Sequence, residues 1–394
     1  MNKNMKHILF VIDTLRMGGA EKSLISLLKA LDPNRINVDL FLFEHGGVLQ
    51  SQVPEWVNTL DSDTLTRGMT LELRKYLGDV IKEGHLKAAL ARIWMTLKSK
   101  FAKNPGFNWE IVEPYIPEIN TEYDVAIGYL EGFPDFFVLD KVKAKKKIGW
   151  IHIDMTGRNP TSSEKKYYEA FDELAIISEE CKKAFVTLFP NTKRKVRVIE
   201  NIVLKEEIIR KAEEPVELEW DKEKINIVSV GRLDYQKGFD IGAQACKILK
   251  ERGVNVCWHV YGKGIMREKI ESYIHDNNLE KDYILEGIRT NPYPYMKQAD
   301  MIVQPSRWEG KSIVLDEAKI LGKVIVVTDY PSVKDQIENN YTGIVTNIDA
   351  ESIAVGIEEL VKNAPLRRRL EQICLQEVNY SFRAINDFYE MLEV

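Results

Sequence analysis

Short, unbroken apolar runs alternate along this chain with longer stretches in which apolar residues recur every three or four positions. The first pattern is that of a strand buried on both faces, the second that of an amphipathic helix. Two segments repeat one layout. HILFVIDTLRMGGAEKSLISLLKAL reads as strand, glycine-containing loop and helix, and so does INIVSVGRLDYQKGFDIGAQACKIL. Each is followed by a further strand, VDLFLF in one case and VCWHVYG in the other. This is the opening βαβ unit of a parallel sheet, met twice about two hundred residues apart. The pattern predicts an α/β chain built from two Rossmann-like domains.

More strands follow in each half: DVAIGY, KKIGWIH, LAIIS and VRVIE, then DYILEG, DMIVQ and VIVVT. The polar, acidic stretch Lys205 to Lys224, with Pro215, reads as a linker. The expected division is therefore an N-terminal domain over 1–203 and a C-terminal domain over 204–378. The final helix, within 379–394, is amphipathic and is expected to pack back on the first domain. A helical insert between Thr66 and Pro117 interrupts the first domain. It carries Arg74, Lys75, Lys82, Lys87, Arg92, Lys98, Lys100 and Lys103 against Glu72, Asp79 and Glu83, together with Trp94, Met95, Leu97 and Phe101. Such a helix can lie on an anionic membrane surface. The plainer reading is a solvated face above an ordinary core stripe.

Length and charge narrow the field. A chain of 394 residues exceeds one ordinary core, which agrees with two domains. A net charge of -5 argues against a general nucleic-acid binder. Cys181, Cys246, Cys257 and Cys374 are scattered and form no C-x-x-C pair, so neither a disulfide framework nor a zinc site is expected. The opening MNKNMKHILFVIDTL has its apolar run broken by Asp13 and Arg16, and reads as a first strand rather than a signal peptide. No stretch approaches the ~18 apolar residues of a membrane span. A cytoplasmic protein, touching the membrane at most from its inner face, is the expectation.

The chemistry concentrates in PSRWEGKSIVLDEAKILGK. A turn from Pro305 to Gly310 leads into an apolar-periodic helix, which places Glu309 in a loop and Glu317 early on the helix. The amides of Gly310, Lys311 and Ser312 lie between them at a helix N-terminus, which attracts phosphate. Two carboxylates beside an anion site suit a ligand with hydroxyls on both sides of a diphosphate, and a nucleotide sugar is one. GRLDYQKGFD adds Arg232 and Lys237 at the end of a strand, with Gly231 allowing a tight exit. Either cation alone is a common surface group; together they can neutralise a departing diphosphate. Gly18 and Gly19 let backbone approach a ligand, and G-x-G-x-x-G is absent there, so no nicotinamide cofactor is implied. Glu21 reads as a helix-start acid. His152 follows an apolar strand, where a neutral imidazole can bond a sugar hydroxyl. Gly262, in YGKG, and Arg289 complete the candidate nucleotide-sugar residues. Asp61 to Asp63 imitates a metal-binding D-x-D, but it sits in a polar turn rather than at a strong strand end, and no metal is expected.

On these segments the chain resembles the family 4 retaining glycosyltransferases of the GT-B fold, bacterial group 1 enzymes among them. The likeness runs through VGRLDYQKGFD, HVYGKG, YILEGI, ADMIVQPSRWEGKSIVLDEAKILGK and TGIVT, and more thinly through GGAEKSL and WIHID. It rests above all on a glutamate, seven residues and a second glutamate, here Glu309 and Glu317. The resemblance implies two Rossmann-like domains facing each other across a cleft. It further implies metal-independent transfer, with retention, of a hexosyl unit from a nucleotide sugar, UDP being the expected nucleotide. The acceptor would be a glycan or polyprenyl-linked oligosaccharide in surface polysaccharide synthesis. By resemblance, Arg232 and Lys237 grip the diphosphate, Glu309 contacts the donor sugar, and Glu317 holds the ribose. Gly310, Lys311, Ser312 and Ile313 present amides, Gly18 and Gly19 approach from the other domain, and His152 lies near the sugar 6-hydroxyl. Glu309, Arg232, Lys237 and His152 are thus the catalytic candidates. Lys311 and Ser312 depart from the aromatic and small residues common after the E-G step, which bears on donor choice. Two other readings stay open: a different GT-B enzyme, such as a sugar-nucleotide epimerase or a phosphorolytic one, and a non-catalytic partner subunit.

Overall fold

The computed structural model describes residues 5–101, 107–217, 220–376 and 380–393. It divides into two compact units, residues 1–202 with 380–394, and residues 203–379.

In the first unit β1 (Lys6–Ile12), α1 (Gly19–Ala30) and β2 (Ile36–Leu42) form the first βαβ step, with β1 and β2 parallel. The chain continues through β3 (Asn58–Leu60) and the helices α2 (Thr64–Arg67), α3 (Leu73–Lys82) and α4 (Leu86–Phe101). Next come β4 (Ile119–Gly128), α5 (Phe133–Lys141), β5 (Val142–Ile151) and α6 (Ser162–Ala170), then β6 (Glu173–Ile176), α7 (Glu179–Leu188) and β7 (Val196–Val198). Among the described residues the sheet has seven strands in the order β3-β2-β1-β4-β5-β6-β7. Ile8 to Ile12 are all fully buried, which is why β1 reads as an unbroken apolar run.

The second unit opens on α8 (Lys205–Ala212) and repeats the step with β8 (Ile225–Val230), α9 (Phe239–Glu251) and β9 (Val256–Tyr261). It goes on through α10 (Arg267–Asp276), β10 (Tyr283–Gly287), α11 (Tyr293–Gln298), β11 (Met301–Gln304) and α12 (Ile313–Ile320). It closes with β12 (Ile325–Thr328), β13 (Ile344–Thr346), α13 (Ala350–Lys362) and α14 (Ala364–Gln376). Its six described strands run β10-β9-β8-β11-β12-β13, every recorded pairing parallel. The last helix, α15 (Tyr380–Leu392), belongs to the first unit, where the Phe388 ring lies 6.0 Å from Phe10 and 5.8 Å from Trp150.

The α/β class and the two parallel sheets expected from the sequence are both present. One local expectation is corrected. Lys205 to Lys224 does not begin as a linker, because α8 buries Ile208 with Val203 and Ile320 inside the second unit. Its few apolar positions are masked in sequence by the surrounding Lys and Glu, which occupy its solvent side. Asp63 is the N-cap of α2, accepting from the amides of Leu65 and Thr66. Among the described residues no helix is long and apolar enough to cross a membrane.

In both sheets the strand order reverses beside the first strand of the unit, between β1 and β4 and between β8 and β11. Ligands of open α/β folds bind beyond the carboxyl ends of the strands at such a reversal. The loops leaving these four strands are therefore where chemistry is to be sought.

Candidate functional site

In the second unit the loops leaving β8 and β11 meet. Lys237 Nζ lies 2.5 Å from Glu309 Oε1, and both side chains are largely buried, at 15% and 7% exposure. Ser306 Oγ donates to the same oxygen at 2.7 Å and Gln304 Nε2 at 3.3 Å. Gln236 Nε2 reaches Glu309 Oε2 at 3.4 Å and the Trp308 carbonyl at 3.0 Å. Glu309 is thus held from three elements before any ligand arrives. Arg307 braces the two loops through a bidentate pair with Asp240, at 2.8 and 2.9 Å, and donates to the Tyr235 carbonyl. Arg232 differs in kind. Its side chain is 63% exposed and touches Asp234 at 3.2 Å, a loosely held cation facing solvent.

Backbone shape fixes these loops. Gly238 caps α9 with φ +68°, and a Cβ there would fall 1.9 Å from the Pro305 carbonyl oxygen. The closest backbone approach here is at Gly262. A Cβ on Gly262 would meet the Gly231 carbonyl oxygen at 1.8 Å, whereas one on Gly231 would stand 3.3 Å from the Phe239 ring. Gly262→Ala is accordingly expected to destabilise the second unit by about 1–3 kcal/mol and to displace Arg232. Urea unfolding of the variant beside the parent checks the first effect.

The start of α12 corrects another expectation. The Ser312 amide does not stand open: it donates to Gln336 Oε1 at 2.8 Å, and Gln336 Nε2 returns a bond to the Ser312 carbonyl and another to Asp316 Oδ1. Ser312 Oγ is buried with no hydrogen-bond partner among the described residues. Ile313 begins the helix, and Gly310 and Lys311 are buried beside it. Glu317, one turn on, is almost fully buried and accepts from Tyr293 Oη at 2.8 Å. Arg289 lies just past the end of β10, donating to the carbonyls of Glu286 and Ile288.

The first unit gathers a different set of groups at its own reversal. His152 follows β5 and its amide donates to Glu131 Oε2 at 2.9 Å. The imidazole lies beside the rings of Tyr129 and Trp150, and neither ring nitrogen has a partner among the described residues. Burial pushes its pKa down to about 3, so the ring is neutral. Asp13, directly after β1, is half-buried, with one buried carboxylate oxygen unpartnered among the described residues, and desolvation, with Glu131 and Glu21 nearby, raises its pKa to about 7. Glu131 is raised too, chiefly by burial. Gly18 is the extended N-cap of α1 and Gly19 its first residue. Space above Gly18 is taken by the Glu21 carboxylate, which an added Cβ would meet at 2.2 Å.

Residues 210–374, which contain the whole Lys237–Glu309 assembly, match the family model of the glycosyl transferases, group 1. This segment is a group 1 glycosyl transferase domain. Relatives agree. A Campylobacter jejuni N-acetylgalactosamine-N,N'-diacetylbacillosaminyl-diphospho-undecaprenol 4-alpha-N-acetylgalactosaminyltransferase is 29% identical over 182 residues, 46% of this chain and 48% of that protein. A Staphylococcus aureus poly(ribitol-phosphate) alpha-N-acetylglucosaminyltransferase is 30% identical over 148 residues, 36% of this chain and 29% of its own length. The chain thus spans less than half the length of these curated relatives. In three dimensions the likeness of fold extends over nearly the whole chain. A crystal structure of S. aureus TarM with UDP, Fondaparinux and alpha-GlcNAc-glycerol superposes at TM-score 0.71 and 17% identity, covering 98% of this chain and 99% of TarM. That likeness establishes the GT-B fold.

Within the glycosyl transferase domain, the structure joins Lys237 and Glu309, which sequence reasoning had assigned to separate tasks. It leaves Arg232 nearby and exposed. Gln236, Ser306, Gln304, Arg307 and Gln336 were missed, since a polar residue in a loop or at a strand end carries no pattern of its own. Asp13 and Glu131 were missed as well. An acid placed directly after a fully apolar strand was the available signal for Asp13.

Proposed function

We propose that this protein transfers a hexosyl unit from a nucleotide sugar, with UDP as the nucleotide, to a glycan or lipid-linked oligosaccharide, with retention of anomeric configuration. The observation that carries the reading is the buried Lys237–Glu309 pair at the strand reversal of a group 1 glycosyl transferase domain. A cation fixed there is already desolvated and oriented, so it can stabilise charge growing on a departing diphosphate. Arg232 is free to swing onto the same phosphates. Glu309 then meets hydroxyls of the donor sugar with its remaining acceptor capacity, and Glu317 takes the ribose on the other side of the diphosphate. The amides of Gly310 and Lys311, ahead of α12, lie beside the sugar and phosphates, and Ser312 Oγ offers one more buried donor.

The bond from the anomeric carbon to the diphosphate oxygen breaks as the acceptor oxygen bonds to that carbon from the same face. The acceptor proton passes to the leaving phosphate oxygen. Cations and amide dipoles carry the leaving-group charge, so the chain's own residues supply what the step requires. Names among the relatives support the acceptor class: one acts on a diphospho-undecaprenol-linked sugar and one on poly(ribitol-phosphate).

Nucleotide release from a panel of nucleotide sugars, with and without a polyprenyl-diphosphate-linked oligosaccharide, tests this reading. Release that depends on the acceptor, with one UDP-sugar preferred, is expected. Acceptor-independent epimerisation or phosphorolysis would assign the fold to a different reaction. Absence of donor binding across the panel would mark a non-catalytic partner.

A further inference from the structure

The helix α4 has two apolar faces. One is spent inside the protein: Ala88, Ala89 and Met95 are buried, and Ala89 joins Leu71, Tyr76 and Val80 in a small cluster with α3. Arg92 ties this side down by donating to the Gly68 carbonyl and to Thr96. The other face is unpartnered among the described residues. Leu86, Leu90, Trp94, Leu97 and Phe101 are 59%, 67%, 60%, 43% and 79% exposed. Their spacings of four, four, three and four place all five within an arc of about 80° on the helix surface. Exposed Lys87 and Lys98 border the stripe on one side and exposed Lys100 on the other. Beside it, α3 turns Arg74, Lys75 and Lys82 outward, with Ile81 51% exposed. No acid occurs anywhere on α4, in a chain whose net charge is -5. Lys103, singled out with this group in the sequence, falls outside the described residues.

A contiguous apolar stripe of this size in water marks an interaction surface. Its flanks decide between occupants. A second copy laid along the stripe would set lysine rows against lysine rows, which repel. A surface that is apolar at depth and negatively charged at its edge matches both parts of the pattern, and an anionic bilayer is such a surface. We propose that α4 seats this protein on an anionic lipid membrane, with Trp94, Leu90, Leu97 and Phe101 entering the interface and Lys87, Lys98 and Lys100 pairing with headgroups. The inference deepens the proposed function, because a membrane-seated enzyme meets a lipid-borne acceptor in two dimensions. It rests on α4 alone and is read without donor or acceptor, so its failure leaves the transfer reaction standing.

Co-sedimentation of the full chain with vesicles of phosphatidylcholine, and of phosphatidylcholine mixed with phosphatidylglycerol, is the test. Binding to the mixed vesicles is expected, weakening as salt rises. Leu90→Ser with Trp94→Ser should lower the partition coefficient at least ~10-fold without changing the thermal midpoint, because neither side chain is buried. Lys87→Glu with Lys98→Glu should lower it ~25-fold or more on anionic vesicles. Failure of the parent chain to sediment with anionic vesicles at low salt would overturn the proposal. So would a lipid-free dimer, seen by analytical ultracentrifugation, that Trp94→Ser dissociates; the stripe would then belong to a second copy.

Discussion

Replacing Lys237 by alanine should lower sugar transfer about a thousandfold, with most of the loss in kcat, and should also loosen the second unit. Both effects come from one geometry. The ammonium sits 2.5 Å from Glu309 Oε1 with little solvent around either group. In the proposed reaction that cation answers charge appearing on the leaving diphosphate, and removing one such preorganised group typically costs 10²–10³ in rate, about 3–4 kcal/mol. The substitution also leaves Glu309 buried beside neutral donors alone, and breaking a buried pair by removing one partner costs about 3–5 kcal/mol. Arg232→Ala separates the two effects. Its side chain is mostly exposed, so stability should move by less than about 0.5 kcal/mol while the rate still falls. Steady-state kinetics beside urea unfolding of both variants reads this directly. Full activity in Arg232→Ala, together with an Lys237→Ala loss accounted for by unfolding, would make the pair structural.

The second large effect concerns proton balance in the first unit. His152, held neutral with a pKa near 3 against an ordinary 6.5, favours folding above 6.5 and loses that contribution as the pH falls towards 3. Asp13, raised from 3.8 to about 7, behaves in the opposite sense: its contribution is greatest below 3.8 and is lost as the pH rises to about 7. Between about pH 4 and 6.5 the two slopes oppose each other and nearly cancel. Single substitutions should uncover them. Relative to the parent, Asp13→Asn should gain stability with rising pH across that window by roughly 1.4 kcal/mol per unit, up to about 4 kcal/mol. His152→Gln should tilt the profile by a similar amount in the other direction. Unfolding free energies at several pH values from 4 to 8 supply the curves; profiles parallel to the parent in both variants would show that neither group is held as described.

Much of this architecture is legible in the chain, for definite reasons. Strands such as β1 and β8 are covered on both faces, so their apolar runs are unbroken, and the glycine loops after them mark where helices begin. The two glutamates could be put on a loop and a helix because Pro305 and Gly310 punctuate that segment. What the sequence does not carry is partnership across distance. Lys237 and Glu309 lie 72 positions apart, and only the adjacency of β8 and β11 brings them together. Gln336 is 24 positions from the Ser312 amide that it occupies, so that amide looked open to an incoming anion. The acids of the first unit were hidden for a related reason. Asp13 draws its unusual proton affinity first from desolvation and then from Glu131, on a loop that sequence places far away. Helix α8 was obscured by composition, its charged residues outweighing the single turn of apolar packing.

The placement of α15 bears on how the molecule is made. The polypeptide leaves the first unit after residue 202, builds all of the second, and only then returns to lay Phe388 against Phe10 and Trp150. During synthesis the earlier lobe must therefore wait, with an apolar seam still uncovered, until the later one has emerged from the ribosome. A truncation that removed this returning helix would injure the part of the protein translated first and leave the glycosyl transferase domain whole.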